Sequence, residues 1–398
     1  MIGIIQLARI GDILQSLPVI KHFEKKGKVL LICNEIFSDF VKKMKIAKEI
    51  LPVPYNLKNF AEDFKKISTE IKKFHREVEK IYSLNYLPES FILGKILSCD
   101  FEIYDYNFVI SQAIYRRYAR INLADVYRYS FGIKGRFEVC SDSVQSSICG
   151  IVCDAGHRKR DLPPAFVKNL IKILVREGFK VYLFGRKSQI YNFKDDNNLK
   201  NFVGKTKLEE VVEIMKECEW IISPDTGLMH LASYLGKKLI CIFFGSANPY
   251  ETGPYTEKAI VLKIKNLPCY PCEESFDCEL CKQILNPADV LNAIKGKDVK
   301  NFEKLIAHLD EYGVYYGEKD LWLEFWRKFF NPDYKCGKFK LQGGFKILKE
   351  VLINCEGKFL EAMKALTSHP DIRIICEYLI RVPSALPRLL QTFKEIFY

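Results

Sequence analysis

The chain contains 398 residues, and at about 150 residues per domain this length predicts two domains and a further segment. A composition with 48% hydrophobic and 28% charged residues excludes a disordered or fibrous protein. The 61 Lys and Arg residues exceed the 49 Asp and Glu residues by a net charge of +12, which favours a polyanionic partner: a nucleotide-bearing substrate, an anionic membrane surface or a nucleic acid.

The first residues and the apolar runs argue against export and membrane insertion. Met1–Leu7 lacks the basic residues that begin a signal peptide, and Arg9 and Asp12 interrupt the apolar run that follows. No apolar stretch approaches the roughly 18 residues that a membrane span needs. We therefore expect a cytoplasmic protein. A nucleic acid is the least favoured partner, because the positive charge is dispersed and no recognition motif accompanies it.

The first half of the chain alternates short apolar runs with helical patterns. Strands are predicted at residues 2–7, 29–33 and 81–84. Helices are predicted at residues 12–23 and, with many lysines, around residues 67–78. Strands that alternate with helices predict a parallel sheet with right-handed crossovers.

The same alternation begins again near residue 148. The predicted strands are at 148–153, 181–184, 220–222 and 239–244, and the predicted helices at 166–175, 208–215 and 227–235. Two α/β units of this size predict two Rossmann-like domains that face each other across a cleft. We place their boundary in the Ser-containing stretch 134–147, which gives domains at 1–145 and 146–298.

Residues 299–398 have a different pattern. Predicted strands no longer alternate with helices there, and amphipathic spacing of apolar residues predicts a C-terminal helical extension. Within it, Trp322–Phe330 is rich in aromatic and basic residues and could contact a membrane surface. Packing of the extension onto the second domain is the commoner role for such a stretch.

A strand-to-helix turn in the second unit carries the strongest functional signal. Asp225 or Thr226 can cap the helix that follows, and Gly227 lets a backbone approach closely. Unpaired amides at the beginning of this helix favour an anion, and phosphate is the usual one. His230 lies four residues after Thr226 and could join the same site. The structural alternative is a well-capped helix with His230 buried in the core.

A second turn lies at the matching place in the first unit. Leu7–Asp12 follows the first strand and opens the first helix. As an N-cap, Asp12 would be a structural acid. Alternatively it is an acid that faces the cleft, with Arg9 beside it to receive an anionic group.

These two turns carry a resemblance to a known family. Arg9–Pro18 and Asp225–Ala232 resemble glycosyltransferase family 9, the ADP-heptose:lipopolysaccharide heptosyltransferases. Three further segments resemble the family: Val203–Glu210, Phe244–Gly245 and Thr252–Tyr255. The resemblance extends over roughly residues 1–297 and leaves the C-terminal extension uncovered.

The resemblance implies a GT-B fold with an acceptor-binding N-terminal domain and an ADP-sugar-binding C-terminal domain. It implies inverting transfer of a heptose to a lipopolysaccharide inner-core acceptor, with Asp12 as the general base. Arg9 is then assigned to the acceptor. The residues assigned to the donor sugar and its diphosphate are Asp225, Thr226, Gly227 and His230.

Two further donor contacts are implied at positions where this chain departs from the family. Lys159 falls where the family has a phosphate-binding lysine, usually followed by an aromatic residue and a proline. Here Asp161-Leu162-Pro163 follows, so that Arg160 could share or take over the role. After a glycine the family often has a glutamate that reaches the ribose, whereas this chain has the uncharged Gln189.

The chemistry of the implied reaction predicts no obligatory metal in catalysis. An ADP leaving group gains negative charge, and a helix N-terminus with a lysine can stabilise it. No Asp-x-Asp pair follows an early strand to hold a divalent ion on a nucleotide-sugar.

Four of the fourteen cysteines form two CxxC pairs: Cys269, Cys272, Cys278 and Cys281. Such pairs could hold a structural zinc ion or an iron–sulfur cluster. The spacer between them is shorter than in a zinc ribbon, and free or redox-paired thiols are the alternative. Without a secretion signal, a disulfide framework is disfavoured.

Two other functions remain open. One is a GT-B enzyme with a different nucleotide-sugar, or an epimerase of similar fold, because Gln189 and the altered lysine loop leave the donor open. The other is a non-catalytic nucleotide-sugar-binding protein. Asp12 argues against the latter, since binding alone does not need an acid in the cleft.

Overall fold

In the computed structural model, residues 1–54, 67, 69–70, 74, 77–85, 88–97, 100–103, 119–137, 144–272, 278–331, 363–364 and 372–397 are described. They form two sheets with helices packed on both. The helix predicted around 67–78 lies largely outside the described residues, as does part of the predicted boundary stretch at 134–147. The predicted domain limits therefore stay predictions.

The first sheet has the order β3-β2-β1-β4-β5 and is parallel throughout. Its strands are β1 (Ile2–Gln6), β2 (Val29–Asn34), β3 (Glu49–Val53), β4 (Lys80–Ser83) and β5 (Phe101–Ile103). The helices of this half are α1 (Ile10–Gln15), α2 (Leu17–Glu24), α3 (Ser38–Lys43), α4 (Pro88–Leu97) and α5 (Leu123–Ser130). Strand β2 is buried along its whole length, as a continuous apolar run in a parallel sheet requires.

The helix predicted at 12–23 is two helices in the structure. Helix α1 ends at Gln15, and α2 begins at Leu17 after Ser16. Pro18 explains the break, because it has no backbone N–H with which to continue the hydrogen-bond ladder of α1. The proline fits the first turn of α2, where an N–H would have no partner in the helix.

The second sheet has the order β13-β12-β11-β10-β9-β6-β7-β8. Its parallel strands are β6 (Ile148–Val152), β7 (Lys180–Phe184), β8 (Leu199–Asn201), β9 (Trp220–Pro224), β10 (Lys238–Phe243) and β11 (Ala259–Ile264). The helices among them are α6 (Pro164–Arg176), α7 (Leu208–Lys216), α8 (Gly227–Tyr234), α9 (Pro249–Thr252), α10 (Leu280–Gln283) and α11 (Pro287–Ile294). The parallel α/β architecture predicted for both halves is confirmed.

The C-terminal extension begins with strands, which the sequence did not predict. β12 (Phe302–Asp310) and β13 (Gly313–Tyr316) are antiparallel and continue the second sheet beyond β11. The prediction of a purely helical extension is therefore wrong for this hairpin. Between Phe302 and Leu305 the alternation of buried and exposed residues is interrupted, which hides the two-residue period of a strand.

Helices follow the hairpin: α12 (Leu321–Phe330), α13 (Arg373–Arg381) and α14 (Leu386–Phe397). The aromatic stretch in α12 faces inward, and the Trp326 and Phe329 rings lie 6.4 and 5.7 Å from the ring of Tyr378 on α13. Both side chains are buried, against another helix of the extension. Packing of this stretch onto the second domain stays a prediction. In the part of the chain that the structure describes, no helix is long and apolar enough to cross a membrane.

Helix α5 connects the two sheets through buried polar side chains. Asp125 Oδ1 accepts hydrogen bonds from Arg128 Nη1 at 2.9 Å and from the Tyr255 hydroxyl at 2.6 Å, and Asp125 Oδ2 accepts one from the Val314 N–H at 3.0 Å. Arg128 Nη1 also donates to the Tyr255 hydroxyl at 2.7 Å. Although α5 precedes the second sheet in the chain, its polar contacts fix it to that sheet.

Candidate active site

The beginnings of α1 and α8 meet where the two halves of the chain come together. A Cβ atom on Gly227 would lie 2.2 Å from Cγ2 of Ile10, and one on Gly11 would lie 3.0 Å from Cδ2 of His230. Gly227 is therefore needed for this close approach, and a side chain at Gly11 would require the ring of His230 to shift. The two turns singled out in the sequence, which lie more than 200 residues apart, form one site.

Asp12 lies at the third position of α1, and Arg9 occupies the N-cap position. The Arg9 N–H donates to Asp12 Oδ2 at 3.1 Å, so the carboxylate supplies the N3 half of a capping box. Asp12 is therefore not the N-cap that one of our two interpretations expected. Its side chain satisfies one backbone amide of the turn and keeps acceptor capacity for another partner.

Burial raises the pKa of Asp12 above its ordinary value. The Arg9 N–H and the Arg9 charge oppose this rise, and the nearby Asp225 charge adds to it. A carboxylate with a raised pKa accepts a proton more readily. Asp12 is thus better suited to proton transfer than an exposed aspartate would be.

Two amides that the sequence analysis missed hold the loop before Asp12. Asn85 Nδ2 donates to Gln6 Oε1 at 2.6 Å, and the Leu7 N–H donates to Asn85 Oδ1. Gln6 Nε2 in turn donates to the Asp12 carbonyl oxygen at 3.4 Å. The sequence could have indicated this pair, because Gln6 and Asn85 stand at the carboxyl ends of β1 and β4, which are adjacent in a parallel sheet.

Asp225, at the end of β9, is paired with a cation. Arg160 Nη1 donates to Asp225 Oδ2 at 2.6 Å, and both side chains are nearly buried, 12% and 7% exposed. Arg160 Nε is buried and has no hydrogen-bond partner among the residues that the structure describes. The structure thus brings Arg160 to Asp225, whereas Lys159 is buried in the same short turn with its carbonyl oxygen packed against Gly245.

Thr226 and His230 belong to α8. Thr226 occupies the N-cap position, and its side chain makes no capping hydrogen bond to this eight-residue helix. Burial lowers the pKa of His230 to about 4, although the Asp225 charge opposes the change. His230 is therefore a neutral imidazole near neutral pH, and the beginning of α8 favours an anion through its amides and dipole.

Arg9 reaches across to the second half of the chain. A Cβ atom on Gly156, in the loop after β6, would lie 3.3 Å from Arg9 Nη1. This places the guanidinium between the two halves, on the side of the loop that carries Arg160. The assignment of Arg9 to an acceptor stays a prediction.

Gln189 is exposed in the loop after β7. Two carboxylates that the sequence analysis did not select hold this loop. Asp154 Oδ2 accepts from the N–H groups of Arg186 and Lys187 at 2.7 and 2.9 Å, and Lys187 Nζ donates to Asp161 Oδ2. The donor-binding role predicted for Gln189 stays a prediction.

The cysteine cluster lies beside the loop that contains Gly245. The Cys272 N–H donates to the Gly245 carbonyl oxygen at 2.9 Å, and burial raises the pKa of both Cys272 and Cys281. Cys269 is exposed, and Cys278 is partly exposed. Across the described ranges of the chain, no group of three or more Cys, His, Asp or Glu side chains is arranged to hold a metal ion. A structural metal at these cysteines stays a prediction.

Comparisons with known sequences find related proteins for part of the chain. Residues 129–282 match the sequence model of glycosyltransferase family 9 (heptosyltransferase). Lipopolysaccharide heptosyltransferase 2 of Salmonella typhimurium is 30% identical over 140 residues, which cover 32% of this chain and 40% of that protein. Lipooligosaccharide heptosyltransferase 2 of Haemophilus ducreyi is 32% identical over 105 residues, which cover 24% of this chain and 30% of that protein. The chain thus matches less than half the length of these relatives.

Solved structures share the fold over a larger part of the chain. The glycosyl transferase family 9 protein from Veillonella parvula superposes with a TM-score of 0.60 at 15% identity, over 74% of this chain and 96% of that one. The E. coli ADP-heptose lipopolysaccharide heptosyltransferase II superposes with a TM-score of 0.56 at 17% identity, over 74% and 98%. The GT-B fold implied by the resemblance is confirmed. Residues 129–282, which contain the turn at Asp225, thus resemble glycosyltransferase family 9.

Proposed function

We propose that this protein is an inverting glycosyltransferase that moves a heptose, or a related sugar, from an ADP-sugar to a hydroxyl group of a lipopolysaccharide inner-core acceptor. The observation that supports it most is the contact between α1 and α8. This contact brings a carboxylate with a raised pKa, Asp12, next to a helix N-terminus and its ion-paired Asp225. One side of the site thereby suits proton removal, and the other suits a diphosphate.

On the donor side, the diphosphate would lie at the beginning of α8, against the amides of Gly227 and its neighbours. Arg160 is the cation best placed to face it, because Arg160 already contacts Asp225 and its Nε has no hydrogen-bond partner among the described residues. Lys159 and Thr226 would add further donors. Fixed cations and amides stabilise the negative charge that ADP gains as its bond to the sugar breaks.

On the acceptor side, Asp12 would act as the general base. The acceptor oxygen attacks the anomeric carbon, its proton passes to Asp12, and the anomeric C–O bond to phosphate breaks with both electrons leaving on ADP. Attack from the face opposite the leaving group inverts the anomeric centre. Arg9 would bind an anionic group of the acceptor, and the net charge of +12 suits a brief contact with the cytoplasmic membrane face that carries such an acceptor.

A different nucleotide-sugar is the second candidate, because Gln189 is exposed and uncharged in the loop where the family often has a glutamate. A thermal-shift series with ADP-, UDP- and GDP-sugars separates the two candidates. A ligand at about 100 times its Kd stabilises the folded protein by about 2.7 kcal/mol. We expect ADP-heptose to give the largest shift, and a larger shift with a UDP- or GDP-sugar would contradict the proposed donor.

A further inference from the structure

A small cavity lies next to His230, between α1 and α2 on one side and α8 on the other. Its volume is about 20 Å³. Its wall is mostly apolar. Besides Tyr234 and Tyr255, three polar side chains line it: Gln15 from α1, and His230 and Ser233 from α8. The cavity therefore spans the contact between the two halves of the protein.

Two of these polar groups are buried without a partner. Gln15 and Ser233 are 5% and 3% exposed. Gln15 Nε2 and Ser233 Oγ have no hydrogen-bond partner within the described part of the chain. A buried polar group left unsatisfied costs about 1–3 kcal/mol, so two such groups on one cavity point to a shared ligand.

The size of the cavity restricts what this ligand can be. About 10–15 Å³ is enough for one water molecule, and a water needs two to four polar partners. A cavity of about 20 Å³ has room for one water and is too small for a sugar or a phosphate group. The three polar side chains supply the partners that one water requires.

We propose that this cavity binds a single water, held by Gln15 Nε2 and Ser233 Oγ, which hydrogen-bonds the imidazole of His230. Gln15 and Ser233 are then positioning residues for His230. A neutral imidazole has one donor nitrogen and one acceptor nitrogen, so the water selects the tautomer and the ring orientation. The effect on sugar transfer rests on the proposed function, whereas the water and the tautomer do not.

The position of His230 explains why its orientation matters. Its ring packs against Gly11 of α1, one residue before Asp12. A change in the ring's orientation would therefore alter the contact through which Asp12 approaches α8. Gln15 and Ser233 come from opposite sides of that contact. The binding site for the water therefore forms only when the two halves are together.

A crystal structure at about 1.5 Å resolution tests the water directly. We expect one ordered water within about 2.7–3.2 Å of Gln15 Nε2 and Ser233 Oγ. A dry cavity in a well-ordered map overturns the proposal. So does a structure in which Gln15 and Ser233 hydrogen-bond protein groups instead.

Nitrogen-15 NMR of imidazole-labelled protein tests the positioning role, with the His230 signals assigned from a His230→Gln variant. In the parent protein we expect one tautomer. In Gln15→Met and Ser233→Ala, the two nitrogen shifts should move towards each other as the tautomers mix. Ser90→Ala is the matched control, because it removes another buried hydroxyl that has no hydrogen-bond partner among the described residues and does not line this cavity. Unchanged His230 shifts in both cavity variants contradict the proposal.

Transfer kinetics complete the test. We expect kcat to fall by about three- to tenfold in Gln15→Met and Ser233→Ala, while the donor KM changes by less than about twofold, as misplacement without lost binding predicts. If Gln15 and Ser233 only stabilise the fold, both variants should lower the melting temperature without lowering kcat relative to the donor KM. If the parent protein transfers no sugar, the proposed function fails, and the crystallographic and NMR results still decide the water.

Discussion

Asp12 and Asp225 are two aspartates at matching places, each at a turn from a parallel strand to a helix, yet their surroundings differ. The carboxylate of Asp12 is hydrogen-bonded by a backbone amide, and burial raises its pKa. The carboxylate of Asp225 is held by the guanidinium of Arg160 at 2.6 Å. One local pattern therefore yields a buried acid with a raised pKa in one half and a charge-paired acid in the other. The packing around the turn, rather than the turn itself, determines the role.

The largest expected effect comes from Asp12→Asn. Asparagine can still accept the Arg9 N–H, so only proton acceptance is lost, and the transfer rate should fall by about 10²–10⁴. Donor affinity, measured by calorimetry on the same variant, should be nearly unchanged. A variant that keeps about a third or more of the parent rate would place the base elsewhere.

Asp12→Asn should also change how the free energy of unfolding depends on pH. The pKa of Asp12 is raised in the folded state, so ionisation of Asp12 destabilises the fold. The free energy of unfolding therefore falls as the pH rises through the pKa of the folded state. Asp12→Asn should therefore raise the free energy of unfolding at pH 7, and the difference should shrink as the pH falls towards 4. An equal change at all pH values would show that the pKa of Asp12 is not perturbed.

The next largest effect is expected for Gly227→Ala. Its Cβ atom would meet Ile10 Cγ2 at 2.2 Å, so the two aspartates could not approach as they do now. Overpacking of this kind costs about 1–3 kcal/mol, and misplacement of about 1 Å can cost about 10² in rate. Transfer rate and melting temperature measure the two consequences.

A double variant sharpens this prediction. Ile10→Ala removes the atom that the new methyl group would meet, so Ile10→Ala with Gly227→Ala should recover part of the lost rate. Gly27→Ala is the control, because a Cβ atom there meets no atom within 4 Å. No recovery in the double variant would show that Gly227 acts through a ligand rather than through Ile10.

The smallest effect separates the two adjacent cations, Arg160 and Lys159. Arg160→Met leaves Asp225 without its cation, and donor affinity should fall by about 10- to 100-fold, in the range for one partner of a buried pair. Lys159→Met should lower donor affinity by less than about fivefold, since the structure directs Arg160 to Asp225. Calorimetric titration with ADP measures both, and a larger loss for Lys159→Met would reverse the assignment.

Much of the architecture could be predicted because it depends on local pattern. Continuous apolar runs identify β1, β2 and β10, and the turns before Asp12 and Asp225 are visible as strand ends followed by helix starts. The choice of Arg160 over Lys159 depends on which side chain points at Asp225, some 65 residues away, and no local pattern contains that. The hairpin after Asn301 was missed for a similar reason, since its pairing with β11 overrides a weak alternation.

The attachment of α5 to the second sheet limits how this protein can be divided. A fragment that ends at residue 145 keeps Asp125 and Arg128 but loses Tyr255 and Val314, the groups that satisfy them from the other half. Such a fragment would expose a helix whose polar side chains evolved to be buried, and it should not fold alone. The two pieces should regain structure only when they are produced together, which makes the chain a natural candidate for a split-protein reporter.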